Sequence, residues 1–258
     1  MSSEDILTLA PPAPDAKIAY GTDPNQFGEI RVPKSKPPFP LAICIHGGYW
    51  RAKYDLAHLG HLCAALAAKG IATWNVEYRR VGNPGGGWPG TFEDIRNAFR
   101  FVPQLSKRYN IDASRVLVVG HSAGGQLGLC LAAHEPSLKR VVSLAGLVDL
   151  KQAWELHLSN NAVVEFLGGK PTEVPEHYRE ADPAESAISQ GTVQWLIHGA
   201  SDDTVPSFLS RNYTELKKRR GEDVHYLEIS TAGHFELIDP RSSAWPKVEN
   251  TIRHLLDQ

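Results

Sequence analysis

A serine between glycines is the first feature of this sequence that could do chemistry. The pentapeptide Gly-His-Ser-Ala-Gly at residues 120–124 places Ser122 after the apolar run 115–120 and before the small, apolar run 123–133. These runs predict a strand and a helix, and the flanking glycines allow the tight turn that would expose the hydroxyl. The helix N-terminus would also direct N–H groups at negative charge developing there. The pattern predicts a nucleophilic serine, with a glycine-rich turn capped by serine as the alternative.

A serine hydroxyl is a weak nucleophile until a histidine takes its proton and a carboxylate orients that histidine. His234 follows the predicted strand 224–229 in an Ala-Gly-His-Phe loop, which makes it the candidate base. The alternative is an ordinary surface histidine, because the chain has 11 histidines. The best acid, by its G-x-x-D-x-x-V spacing after the predicted strand 193–197, is Asp202. The candidates for the acid, in order of preference, are Asp202, Asp203 and Asp149.

A second glycine-rich loop, His-Gly-Gly-Tyr-Trp at residues 46–50, follows the predicted strand 41–46. Glycines let backbone N–H groups come close to a bound carbonyl oxygen, and each such donor stabilises the transition state by about 3–4 kcal/mol. We expect the oxyanion to be held by the N–H groups of Gly47, Gly48 and Ala123. His46 is expected to hold the loop in shape. The alternative for this loop is a plain turn that ends a strand.

Aromatic residues accompany these loops and predict a pocket for a small substrate. The candidate lining residues are Tyr49, Trp50, Trp88, Trp154 and Phe235. Trp88 lies in the segment 85–90, which contains G-x-G-x-x-G. That segment does not directly follow a strand and it contains proline, so a loop is expected there rather than a dinucleotide site.

The elements that must position these residues alternate along the chain from residue 41 onward. The predicted strands are residues 41–46, 70–78, 115–120, 141–144, 193–197 and 224–229. The predicted helices are residues 56–68, 92–108, 123–133, 207–220 and 245–256. This alternation predicts an α/β fold with right-handed crossovers and a mostly parallel sheet covered by helices on both faces. Residues 16–32 suit an antiparallel extension of one edge, and residues 147–190 suit a short insertion after the strand that ends near Gly146.

With the serine, the glycine loop, the acid and the histidine in place, residues 40–257 resemble a serine hydrolase of the α/β-hydrolase superfamily. The form H-G-G-x-W at residues 46–50, the Gly-His-Phe-Glu at 233–236, Tyr78 and residues 94–98 resemble the kynurenine formamidase (arylformamidase) branch. The resemblance implies the α/β-hydrolase fold. It also implies hydrolysis of N-formylkynurenine through an acyl-enzyme, without cofactor or metal.

The expected activity is therefore cleavage of a small amide or ester, aromatic ones included, in the manner of arylformamidase. A carboxylesterase that acts on short acyl esters is the alternative, because this branch is closely interleaved with carboxylesterases. A non-catalytic binding protein with the same fold is a remote alternative.

Composition limits the remaining classes. The 258 residues include 27 basic and 29 acidic side chains, for a net charge of −2, and 42% are hydrophobic. These proportions indicate a globular protein rather than a disordered or collagen-like chain. The near-neutral charge argues against a nucleic-acid partner or an anionic membrane surface as partner.

Cysteine usage and the N-terminal sequence bear on location. The three cysteines have no C-x-x-C arrangement and are expected to be buried free thiols. No signal-peptide pattern and no apolar run of about 20 residues is present, which predicts a soluble, cytoplasmic protein. Because the motifs span residues 46–234, one domain over residues 1–258 is expected. The sequence does not indicate an oligomeric state.

Overall fold

The fold centres on one eight-stranded sheet, which we describe from a computed structural model that covers residues 4–257. The strands are β1 (Ala16–Ala19), β2 (Phe27–Arg31), β3 (Phe39–Ile45), β4 (Ala72–Val76), β5 (Ile111–His121), β6 (Arg140–Leu144), β7 (Val193–Gly199) and β8 (Val224–Ile229). Their order across the sheet is β1-β2-β4-β3-β5-β6-β7-β8. Neighbours from β4 to β8 pair in parallel, whereas β1 and β2 form the antiparallel extension expected for residues 16–32.

Helices cover both faces of the sheet. They are α1 (Asp5–Thr8), α2 (Gly60–Ala68), α3 (Gly90–Arg100), α4 (Val102–Tyr109), α5 (Ala123–His134), α6 (Leu150–Glu155), α7 (Ala162–Leu167), α8 (Pro175–Ala181), α9 (Phe208–Arg219) and α10 (Trp245–Asp257). A 3₁₀ helix, Leu56–Leu59, precedes α2. Within residues 4–257, none of the helices has the length and apolar character needed to cross a bilayer.

The strand β3 shows why both faces are covered. Its alternate side chains enter two separate cores: Ile43 and Ile45 pack in the cluster that includes α3 and α5, and Ala42 and Cys44 pack in the cluster that includes α2 and α10. A strand that is apolar at every position is therefore buried on both sides, as its continuous apolar run predicts. All three cysteines are free and buried in these cores.

The predicted helix 92–108 is wrong in one respect, because the structure divides it into α3 and α4 at Phe101. Pro103 lies in the first turn of α4 and has no N–H to donate to the preceding turn. Proline is tolerated where a helix starts, and the chain uses it to begin a second helix. The N-terminal helix α1 was also not predicted.

The insertion predicted at residues 147–190 contains α6, α7 and α8, which are tied to each other and to the sheet. The buried Asp182, at the end of α8, accepts hydrogen bonds from the backbone N–H groups of Leu150 (2.9 Å) and Lys151 (3.3 Å) at the start of α6. Arg51 forms a two-pronged ion pair with Glu165 of α7, at 2.8 and 3.0 Å. The insertion is thus anchored beside the loop that follows β3.

The connection from β5 to α5 is a turn that few sequences tolerate. Ser122 lies at φ 56° and ψ −120°, in the left-handed half of the map where non-glycine residues are uncommon. A Cβ atom on Gly124 would lie 2.0 Å from the carbonyl oxygen of Ile45, and one on Gly120 would lie 2.0 Å from that of Gly124. The glycines therefore permit a backbone approach that any side chain would block.

We expect Gly124→Ala to destabilise the fold by more than about 2 kcal/mol, because the new methyl group meets backbone that cannot rotate away. Gly128→Ala, in the same helix, is the matched control, since its Cβ would meet the Val118 side chain at 3.1 Å. Urea denaturation of the two variants measures the difference. Equal free energies of unfolding would contradict the tight-turn argument.

Candidate active site

Ser122 directly follows β5 and lines a cavity of about 390 Å³. The cavity is lined by Glu4, Leu7, Gly48, Tyr49, Tyr54, His58, Ser122, Thr204, His234 and Phe235. The carboxyl ends of parallel strands meet at one edge of a sheet, so loops that are distant in sequence converge there. The structure thus brings the predicted nucleophile and the predicted base to the same cavity.

His234 and Asp202 are joined by a direct hydrogen bond. His234 Nδ1 lies 2.7 Å from Asp202 Oδ2, and the two side chains are 4% and 0% exposed. Their loops follow β8 and β7. Of the other two carboxylates considered, Asp203 is exposed and Asp149 accepts a hydrogen bond from the Gln152 N–H at the start of α6. Among the described residues, no hydrogen bond joins Ser122 Oγ to His234, and such contacts often tighten only when substrate binds.

Asp202 is held as a carboxylate by four donors. Its Oδ1 accepts the backbone N–H groups of Thr204 (2.9 Å) and Val205 (2.8 Å). Its Oδ2 accepts His234 and also faces Nε2 of His198 at 3.1 Å. Burial raises the pKa of Asp202, but the hydrogen bonds of His198 and His234 outweigh burial and hold the pKa well below its ordinary value.

His198 was not singled out in the sequence, although it begins the segment that contains Asp202. It is fully buried at the end of β7, where Nδ1 lies 2.8 Å from Ser210 Oγ and Nε2 lies 2.9 Å from the carbonyl oxygen of Val205. A histidine that directly follows the apolar run 195–197 was the signal that could have identified it. His198 fixes the loop of the acid.

The loop after β3 lies against the nucleophile. A Cβ on Gly47 would lie 2.9 Å from Ser122 Cβ, and Gly48 has φ +106°. Among the described residues, no acceptor faces the N–H groups of these two glycines. Ala123 is the first residue of α5, where the N–H groups have no partner within the helix. The N–H groups of Gly47, Gly48 and Ala123 therefore have no acceptor among the described residues.

His46 holds this loop through an ion-pair network behind it. Its Nδ1 donates to the carbonyl oxygen of Gly47 at 2.8 Å, and its Nε2 lies 3.0 Å from Glu77 Oε1. Arg80 contacts the same carboxylate at 3.1 Å, and the Tyr78 ring stacks on His46. Burial raises the pKa of Glu77, but the charges of His46 and Arg80 and the hydrogen bond from His46 bring it below its ordinary value.

The aromatic residues divide into two groups. Tyr49 and Phe235 line the cavity, and the Tyr49 hydroxyl donates to the carbonyl oxygen of Thr204 at 2.9 Å. Burial raises the pKa of Tyr49 to about 12, so this hydroxyl keeps its proton at neutral pH. The predicted pocket residues that do not line this cavity, within residues 4–257, are Trp50, Trp88 and Trp154.

The tryptophans instead join the insertion to the core. Trp50 is 1% exposed and stacks on Phe166 of α7 at 4.4 Å. Trp88 meets the same ring edge-on at 6.2 Å, and Trp154 packs against that core. Burying these large rings stabilises the packing of the insertion on the core. An aromatic side chain next to a site motif in the sequence therefore does not have to contact the substrate.

The sequence did not reveal several lining residues. They are Glu4, Leu7, Tyr54, His58 and Thr204. Glu4 and Leu7 come from the start of the described chain, where α1 packs beside the 3₁₀ helix and Ile6 enters the core. His58 belongs to that 3₁₀ helix. Over residues 4–257, no group of three or more His, Cys, Asp and Glu side chains is arranged to hold a metal ion.

Comparison with solved structures places this fold among known esterases. The chain superposes on a carbohydrate esterase from gut microbiota, solved in a truncated form, with a TM-score of 0.82 and 20% identity over 96% of this chain and 98% of that one. It superposes on an esterase of Thermogutta terrifontis with propionate bound, with a TM-score of 0.75 and 20% identity, over 94% and 93% of the two chains. The fold is that of the α/β-hydrolases, as expected.

The amino-acid sequence itself has recognisable relatives. Esterase LipC of Mycobacterium tuberculosis is 29% identical over 252 residues, which cover 86% of this chain but only 60% of LipC. The match thus spans about 60% of the length of LipC. The model of the BD-FAE family matches residues 29–216, which is more than half of the chain. The chain therefore belongs to the BD-FAE family of α/β-hydrolases.

Proposed function

We propose that this protein is a serine carboxylesterase that hydrolyses short acyl esters of small molecules. The observation that carries the proposal is the joint placement of a strained Ser122 and the His234–Asp202 pair at one cavity. In this proposal Ser122 is the nucleophile, His234 is the base, and Asp202 orients His234. The oxyanion is held by the N–H groups of Gly47, Gly48 and Ala123.

Acyl transfer would run in two steps. Ser122 Oγ attacks the ester carbonyl while His234 Nε2 takes its proton, and the carbonyl oxygen becomes the oxyanion. His234 then gives the proton to the departing alcohol, which leaves the acyl group on Ser122. Water loses a proton to His234 and attacks the acyl-enzyme, which releases the acid and restores the serine. Asp202 stabilises the imidazolium in both steps without taking a proton.

An ester is favoured over the formamide expected from the sequence resemblance. The relative and the structural neighbours reported above are all described as esterases, and one of them was solved with propionate. A cavity of about 390 Å³ between Tyr49, Tyr54 and Phe235 suits a short acyl chain and a small alcohol. Carboxylesterase activity, the alternative in the sequence analysis, thus becomes the main proposal.

Ser122→Ala should lower kcat/KM for p-nitrophenyl acetate by at least about 10⁴-fold, because it removes the nucleophile. Ser201→Ala, on the exposed part of the acid loop, is the matched control and should keep wild-type activity. An aryl phosphonate should add to the wild type at Ser122, as measured by peptide mass spectrometry. A fully active Ser122→Ala would refute the assignment.

Asp202→Asn should reduce kcat by about 10⁴-fold, because the amide no longer holds the His234 tautomer. Asp203→Asn, one residue further on and exposed, should leave kcat close to wild type. A larger loss of kcat in Asp203→Asn than in Asp202→Asn would show that Asp203, not Asp202, is the acid that orients His234.

The effect of Asp202→Asn on the free energy of unfolding should depend on pH. The pKa of Asp202 is lower in the folded protein than in the unfolded chain. Its carboxylate therefore stabilises the fold above the unfolded value of about 4, and this contribution is lost as the pH falls below about 4. Urea titrations should show a gap in unfolding free energy between wild type and Asp202→Asn that shrinks from about pH 6 to about pH 3. A gap that grows with acid would contradict the assignment.

Substrate preference separates the two expected activities. Values of kcat/KM for p-nitrophenyl acetate and butyrate should exceed that for N-formylkynurenine by more than about 10-fold, which corresponds to about 1.4 kcal/mol of transition-state binding. The octanoate ester should be slower than the butyrate ester because a cavity of about 390 Å³ leaves little room for the longer acyl chain. Faster hydrolysis of N-formylkynurenine than of every ester would return the assignment to arylformamidase.

A further inference from the structure

Two histidines outside the proposed triad form a chain of hydrogen bonds that ends on the base. His58 Nε2 lies 2.7 Å from His121 Nδ1, and His121 Nε2 lies 3.0 Å from the backbone carbonyl oxygen of His234. The three residues come from the 3₁₀ helix, the end of β5 and the loop after β8. The proposed mechanism uses neither His58 nor His121.

The direction of this chain follows from its last acceptor. A carbonyl oxygen only accepts, so His121 Nε2 must carry the hydrogen. Burial lowers the pKa of His121 well below its ordinary value, so the ring is neutral and its Nδ1 is a lone pair. His58 must then donate from Nε2. The N–H groups of both rings therefore point toward His234.

His58 is neutral as well. Burial, together with the nearby imidazoles of His46 and His234, lowers its pKa to about 3. For His121, burial and the nearby His234 and His58 imidazoles lower the pKa, and they outweigh the hydrogen bond to the His234 carbonyl and the charge of Asp202, which raise it. The Phe235 ring lies 6.1 and 5.9 Å from the two imidazoles.

We propose that His58 and His121 are positioning residues of the esterase site, which hold the backbone of His234 at a set distance from Ser122. The inference rests on the proposed function. His121 directly precedes Ser122 in the chain, so its side chain links the nucleophile to a base 113 residues away. His58 fixes the His121 tautomer and ring orientation, without which the Nε2–H would not point at the carbonyl.

A purely structural role accounts poorly for this pair. His58 Nδ1 is buried and has no hydrogen-bond partner among the described residues. His58→Leu would remove that unpaired acceptor and leave His121 Nδ1 unpaired instead, so the number of unsatisfied buried acceptors stays the same. Stability should therefore change little in this variant, while the position of His234 loses its support. A loss of activity without a loss of stability is the distinguishing signature.

The first experiment reads the tautomers directly in wild-type protein labelled with ¹⁵N-histidine. Imidazole ¹⁵N shifts should report neutral rings with hydrogen on Nε2 for both His58 and His121, unchanged from about pH 5 to about pH 8. A hydrogen on Nδ1 of His121, or protonation of either ring in this range, would overturn the proposal. The measurement does not depend on activity.

The second experiment separates kcat from KM with p-nitrophenyl acetate. His58→Leu should lower kcat by about 10-fold and leave KM near wild type, because misplacing the base slows chemistry more than binding. His58→Gln, whose side-chain amide can donate to His121 Nδ1, should recover most of the loss. His61→Leu is the matched control, since His61 contacts the Leu9 carbonyl oxygen at 3.3 Å near the surface.

The outcomes separate this inference from the proposed function. An inactive wild type refutes the esterase. An active wild type with normal kcat in folded His58→Leu refutes the positioning role and leaves the esterase intact. Equal losses of kcat in His58→Leu and His58→Gln also refute the positioning role, because a hydrogen-bond donor to His121 Nδ1 would then make no difference. Thermal unfolding of each variant shows which losses reflect folding.

Discussion

The site depends on one backbone contact, between the start of α5 and the end of β3. Gly124 packs so closely on the carbonyl oxygens of Ile45 and His46 that a Cβ would lie 2.0 and 2.6 Å from them. This approach brings Ser122 beside Gly47, so the hydroxyl and the loop N–H groups face one cavity. In the proposed mechanism, a shift of α5 away from β3 would move the loop donors away from an oxyanion formed at Ser122. The positive φ of Ser122 is the conformational strain that accompanies this contact.

Side-chain hydrogen bonds hold the loops that this contact brings together. Tyr49 in the glycine loop bonds to Thr204 in the acid loop, 155 residues away. His121, beside the nucleophile, bonds to the backbone of His234. His198 ties the acid loop to α9 through Ser210. Loops carry the chemistry in this fold, and cross-links of this kind give them the fixed geometry that electrostatic stabilisation of a transition state requires.

Much of this arrangement could be predicted from the sequence. Continuous apolar runs identify buried parallel strands, and the residues after those strands share one edge, so Ser122, Asp202 and His234 could be expected to meet. The pair His58–His121 could not, because its members are 63 residues apart and resemble the other histidines of the chain. The tryptophans mislead for a related reason: proximity to a motif in sequence does not say which way a ring points, and Trp50 points into the core. Only packing against Phe166 determines that direction.

In the proposed mechanism, the surroundings of the candidate groups leave one acceptor for the serine proton. Asp202 is an unsuitable base, because its hydrogen bonds keep its pKa well below the ordinary value of a carboxyl group. His121 is the histidine next to Ser122 in the chain, yet burial makes protonation of its ring unfavourable and the His58 N–H occupies its free nitrogen. In the proposed mechanism His234 differs from both, since its Nδ1 is hydrogen-bonded to the Asp202 carboxylate while its other nitrogen is unclaimed among the described residues. Burial thus keeps His58 and His121 neutral, and the contact with Asp202 sets His234 apart from them.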